Sequence, residues 1–102
     1  ARITATSLVG EGGGTLANIN RWREQLGLAP VADLAGQPTT DLGKGALLVD
    51  LTDAGGAKRL VAAIVPAGDQ SWYFKLTGSV KGAEAERAHF DRFVRDAALG
   101  GP

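Results

Sequence analysis

The groups best suited to chemistry in this chain gather in one stretch, Thr15 to Gln25. Counted at ~100° per residue, Asn18, Arg21 and Gln25 line up on the side of a helix opposite an apolar stripe, with Trp22 at the flank. Two amides, a guanidinium and a partly exposed indole are the groups enriched in binding hot spots and polar ligand grips. The competing account is the ordinary one for an amphipathic helix: Trp22 belongs to the core, and the polar groups form a wet face or pin the loop that follows. At the level of sequence both accounts stay open.

The remaining reactive types are less promising. His89 is the sole histidine. A hydrolytic set would pair it with Asp96 or with Ser7, Ser71 or Ser79, yet none of these serines sits in a Gly-x-Ser-x-Gly elbow. A single histidine also cannot build the multi-histidine sites of catalytic zinc. Asp50 and Asp53 flank a glycine turn without the spacing of a calcium loop, so they read as turn formers. Gly10-Glu11-Gly12-Gly13-Gly14 before a helix suggests a phosphate cradle, but Thr15 stands where the Gly-x-Gly-x-x-Gly frame needs glycine, and Glu11 would repel a phosphate. Gly43-Lys44-Gly45 lacks the Walker serine or threonine and precedes a strand rather than a helix. Trp72 and Phe74 alternating with Tyr73 and Lys75 fit a half-buried strand better than a nucleic-acid platform. The expectation is therefore no catalytic residue, no metal and no cofactor, with Asn18, Arg21, Trp22 and Gln25 as the candidate binding residues.

Composition points the same way. Eleven basic and eleven acidic residues cancel, which leaves no general attraction to nucleic acid or to an anionic membrane surface. Cysteine is absent, so disulfide scaffolds, thiolate catalysis and cysteine-based zinc sites are excluded. No apolar run approaches the ~18 residues of a membrane span. A chain of 102 residues reads as one domain over 1–102, or as the C-terminal part of a slightly larger one.

Residues 2–9, rich in β-branched types, predict a strand with Ile3, Ala5, Ser7 and Val9 on one face. Thr15 is the expected N-cap of the helix carrying the candidate site. Leu16, Ile19, Trp22 and Leu26 form its apolar stripe, and Gly27-Leu28 predicts a Schellman ending. Residues 29–44 read as a long polar connection, functional or mobile. Three strands follow, near 46–51, 58–65 and 71–77, joined by short turns into an antiparallel meander. The middle one is apolar on both faces, Leu60/Ala62/Ile64 and Val61/Ala63/Val65, and so asks for cover on both sides. A closing helix from about Gly82 to Ala98 offers Ala83, Phe90, Phe93, Val94 and Ala97 as its buried face, with Glu84 and Glu86 near its start and Gly100-Gly101-Pro102 as its end. The expected fold is α+β, a four-stranded sheet in the order β-α-β-β-β-α with helices on its faces.

Leu16 to Pro30, the block Trp72-Tyr73-Phe74-Lys75-Leu76-Thr77-Gly78 and the Phe90-x-x-Phe93 helix together resemble a group of uncharacterised bacterial proteins, many of them lipoproteins. The second block and the closing helix also resemble the wider Mog1/PsbP-like superfamily, whose fold is an antiparallel sheet sandwiched by helices. Ser79 departs from the proline such proteins often carry. The resemblance implies a non-enzymatic binding or accessory domain in the periplasm or cell envelope. It further implies membrane attachment only through an upstream lipid anchor, and N-terminal strands that this chain lacks. An exposed sheet edge would follow, open to a partner strand or to a homodimer. The partner is expected to be a protein or a small polar ligand. A small hydrolase using His89 and a self-associating structural module are the alternatives.

Overall fold

A computed structural model describes residues 2–9, 14–68 and 70–98. The readings placed on Gly10–Gly13 and Gly100-Gly101-Pro102 fall outside the described residues. The elements run β1 (Arg2–Val9), α1 (Thr15–Gln25), a single 3-10 turn (Leu34–Gly36), β2 (Thr40–Gly43), β3 (Ala46–Thr52), β4 (Lys58–Ala67), β5 (Gln70–Ser79) and α2 (Val80–Ala98). All strands join one antiparallel sheet in the order β1-β5-β4-β3-β2.

The sheet thus has five strands, not the expected four, because β2 lies within the supposed polar connection. Thr40-Asp41-Leu42-Gly43 hides this strand well. Only Leu42 is even half-buried, and an edge strand needs no more than that. The hairpin from β2 to β3 turns on Lys44-Gly45, both at positive φ (53° and 81°), flanked by the Gly43–Ala46 pair. Two central residues in the left-handed region are what a tight type I′ turn requires. At the next turn Asp53 acts as expected, its Oδ1 accepting the Ala57 and Lys58 N–H groups at 2.8 and 3.2 Å. Pro66 belongs to β4, opposite Ser71. The β3–β4 pairing ends at Ile64, so the missing proline N–H breaks no ladder bond there.

Both faces of β4 are covered, as its double apolar pattern demands. On one face α2 packs Ala83, Phe90 and Val94 against Leu48, Val61, Ala63, Val65, Phe74 and Leu76. On the other, α1 sets Ile19 and Trp22 against Val49, Leu51, Leu60, Ala62, Ile64 and Tyr73. Phe93 does not join the first core: it is 55% exposed and meets Phe74 edge-on at 5.4 Å. Helix α2 begins directly after β5, with the Ser79 hydroxyl accepting the Gly82 N–H at 3.0 Å as an N-cap. Its start at Val80 places Glu84 and Glu86 past the first turn. Among the described residues no helix is long and apolar enough to cross a membrane.

Candidate functional site

Helix α1 is set by its two ends. The N-cap is Gly14, at φ 93°, and Thr15 is the first helical residue rather than the cap. No side chain of the cap residue serves there; instead the Gly14 carbonyl accepts both the N–H and the Nδ2 of Asn18, at 3.1 and 2.8 Å. A backbone at that φ suits glycine, and threonine would be strained in it. At the other end Leu28 N–H reaches the Arg23 carbonyl and Gly27 N–H reaches Glu24, at 2.8 and 2.9 Å. With Gly27 at φ 72°, this is the Schellman ending expected from Gly27-Leu28.

Between those ends the helix, β5 and β1 enclose a concavity of about 190 Å³. Asn18, Arg21, Trp22 and Gln25, the four residues singled out from the sequence, all line it. Thr4, Tyr73 and Lys75 complete the wall. Two details differ from expectation. Asn18 is not on a wet face: it is 1% exposed, because it stands one turn before Trp22 and shares its side of the helix. The Trp22 indole is buried too, meeting Tyr73 edge-on at 6.5 Å and 66°. Arg21 and Gln25 are exposed.

The polar groups are already ordered around the concavity. Arg21 Nη1 donates to Asn18 Oδ1 at 2.8 Å. Lys75 Nζ donates to Gln25 Oε1 at 3.1 Å across fifty residues of sequence. Among the described residues no carboxylate lies within ion-pair distance of Arg21 or Lys75. Two cations, two amides and a threonine hydroxyl around aromatic walls can hold an anionic or strongly polar group.

The loop-pinning role belongs to other residues of the same helix. Asn20 exchanges two hydrogen bonds with Val31, from Nδ2 to the carbonyl at 3.0 Å and from the Val31 N–H to Oδ1 at 2.8 Å. Arg23 donates to the Ala29 carbonyl at 2.7 Å and to the buried Gln37 side chain. Sequence reasoning missed both, as it missed Tyr73 and Lys75. For the strand pair a signal existed: period-two alternation puts Tyr73 and Lys75 on one face. What the sequence could not supply was which helix lies over that face.

The other candidates are placed as follows. His89 has a 79% exposed side chain with Nδ1 3.8 Å from Glu86. Ser71 is buried and Ser79 is engaged as the α2 cap. Asp50 sits on the α2 side of the sheet inside an ion cluster. Arg59 grips it with two bonds, at 2.9 and 2.6 Å, and Arg87 adds a third at 2.7 Å. Glu84 joins Arg59 at 2.6 Å and Asp91 joins Arg87 at 2.7 Å, so that three carboxylates share two guanidiniums. The Arg59 hydrogen bonds hold the Asp50 carboxyl below its usual pKa, against the opposing effect of burial, with Arg87 helping. The same contacts, Asp50 first, raise Arg59. Among the described residues no three His, Cys, Asp or Glu side chains come together as a metal site.

No family model, curated protein or solved structure matches the chain. The functional reading therefore rests on the geometry of the concavity. Gln25 also borders a second, larger hollow of about 530 Å³ along Leu26, Leu60 and Thr77. Of its two basic lining residues, Lys58 and Arg59, the latter is committed to Asp50 and Glu84. The smaller hollow is the better site because neither of its cations pairs with a carboxylate among the described residues.

Proposed function

We propose that this domain is a non-enzymatic binding or accessory module that holds a polar, anionic group in the concavity between α1 and β5. The carrying observation is that Arg21 and Lys75 face one small hollow without a carboxylate partner among the described residues. A guanidinium beside an ammonium, with the Asn18 and Gln25 amides fixed by hydrogen bonds, suits a carboxylate or phosphate. Trp22 and Tyr73 supply rigid walls that exclude water from one side of the bound group.

The wider proposal is that the module is a Mog1/PsbP-like sandwich of the bacterial cell envelope, anchored upstream if it is anchored at all. The residues carrying that resemblance support it, and a five-stranded antiparallel sheet with a helix on each face is compatible with it.

The test is titration with glutarate and, separately, inorganic phosphate, followed by calorimetry and by the amide and indole NMR signals of Asn18, Gln25 and Trp22. Arg21→Ala is expected to weaken binding at least about tenfold, the worth of one charge-assisted hydrogen bond. His89→Ala is expected to leave it unchanged. Binding that survives Arg21→Ala, or that moves only signals remote from the hollow, defeats the proposal.

A further inference from the structure

The two edges of the sheet are built differently. The β2 edge has four residues, a register irregularity between Asp41 and Gly43 and an acidic side chain, all features that discourage another strand from adding. The β1 edge has eight residues paired to β5 in unbroken register from Arg2–Thr77 to Val9–Gln70. Its sequence, Arg-Ile-Thr-Ala-Thr-Ser-Leu-Val, contains no proline and a single charge. Among the described residues β1 pairs only with β5, so its outward main-chain donors and acceptors form a template for strand addition.

What flanks that edge differs on the two faces. On the α1 face the register places Thr4 opposite Lys75, and Thr4 itself lines the cationic hollow with Arg21. Arg2 follows on the same face, opposite Thr77. On the α2 face the edge is apolar. Ile3 is 45% exposed, and beyond it Trp72 (38% exposed) stacks on Phe74 at 6.2 Å, while the exposed Phe93 closes on Phe74 from the helix. The β1 positions opposite Phe74 and Trp72 are the small residues Ala5 and Ser7. A strand added about 4.8 Å beyond β1 would lay its side chains beside this aromatic shelf on one face and the cations on the other.

We propose that β1 docks an extended segment of another protein in which acidic residues alternate with apolar ones, main chain paired to β1, with one acidic side chain seated between Arg21 and Lys75. The inference rests on the reading of the hollow as an anion site and names the carrier of the anion. Charge selects this occupant over a second copy of the chain. Residues 2–9 hold no carboxylate, so self-pairing of two β1 edges would leave both hollows unfilled and add Arg2 to their positive field.

The probe is a capped nonapeptide alternating valine with glutamate and threonine, added to the 102-residue chain. Alternate amides of residues 2–9 are expected to exchange at least about tenfold more slowly when it is bound, because an edge strand points every second N–H outward. N-methylating the outward amides of the peptide, or replacing its glutamates by glutamine, is expected to cost about tenfold or more in affinity. Lys75→Gln should reproduce the glutamine loss without adding to it. Peptide binding that leaves the β1 amides unprotected overturns the inference, and so does a β1-mediated dimer that excludes the peptide. If glutarate binds the hollow while the peptide does not, strand docking fails and the anion site stands. If neither binds, both fail.

Discussion

Helix α1 carries two kinds of polar side chain, and substituting them one at a time should separate structural pins from binding groups. Asn20→Ala removes both hydrogen bonds to Val31, at 3.0 and 2.8 Å. These tie the loop after α1 to the helix across eleven residues of sequence. Each such bond is worth about 0.5–1.5 kcal/mol net, and the half-buried Val31 main chain is only partly rehydrated once its partner is gone. The expected loss is therefore about 2 kcal/mol, which lowers the Tm of a domain this size by about 8–16 °C. Arg21→Ala removes one bond, from an exposed guanidinium to Asn18. Water in the hollow can replace that donor, so about 1 kcal/mol or less is expected. Differential scanning calorimetry of both variants, each also titrated with glutarate, gives the comparison. Asn20→Ala should melt early and still bind, whereas Arg21→Ala should melt near the wild type and bind poorly. If instead Arg21→Ala loses several kcal/mol and Asn20→Ala almost nothing, Arg21 is the pin and the division drawn between the two faces of α1 is wrong.

Four further outcomes follow from the same geometry. Because its folded-state pKa is depressed, Asp50 contributes stability above its ordinary pKa near 3.8 and loses it as pH falls through the lower folded value. In urea denaturation Asp50→Asn should cost about 1 kcal/mol at neutral pH, after discounting for its partial exposure, and should reduce the further loss below about pH 4. Phe90→Ala should cost about 3–5 kcal/mol, because Phe90 is fully buried in the α2 core. Phe93→Ser, one turn on and exposed, should cost about 1 kcal/mol or less while weakening the nonapeptide. Lys44→Asn creates an Asn-Gly hairpin turn at a residue held at φ 53°, and a Tm rise of a few degrees, corresponding to about 0.5 kcal/mol, is the expected readout.

The layered fold was legible because β4 has to be buried twice. A strand with Leu60, Ala62 and Ile64 on one face and Val61, Ala63 and Val65 on the other demands helices on both, and the chain offers two amphipathic candidates. Strand β2 was not legible, since an edge strand needs only one half-buried residue and Leu42 supplies it. Phe93 was misplaced for a related reason. Helical spacing puts it on the apolar side with Phe90, but it meets the core only through an edge contact with Phe74 and stays exposed. In the site, Asn18, Arg21, Trp22 and Gln25 were found together because their spacing on one helix is local. Lys75 joins them through a contact spanning fifty residues, and local periodicity carries no information about such a contact. The helical count groups Asn18 with Arg21 and Gln25 on the polar side, but it also stands next to Trp22 at the border of the apolar stripe. Its burial is stabilised by the Gly14 carbonyl and by Arg21, partners that hydropathy does not register.

The neutral composition is the feature whose meaning changes most. Eleven charges of each sign argued against any electrostatic attraction, but a sum over the chain says nothing of where the charges are paired. Around Asp50 three acids, Asp50, Glu84 and Asp91, share Arg59 and Arg87 within one cluster on the α2 side of the sheet. Arg21 and Lys75, on the α1 side, donate to amides, and among the described residues no carboxylate pairs with either. A cation hydrogen-bonded to an amide keeps its full charge, whereas one paired with a carboxylate is locally neutralised. The hollow is therefore positive inside a molecule that is neutral overall, and its field reaches about a Debye length, roughly 8 Å at physiological salt. Attraction of that range does not gather polyanions over the whole surface. It acts on a single acidic group brought close by other contacts, and the open β1 edge beside Thr4 is placed to provide them.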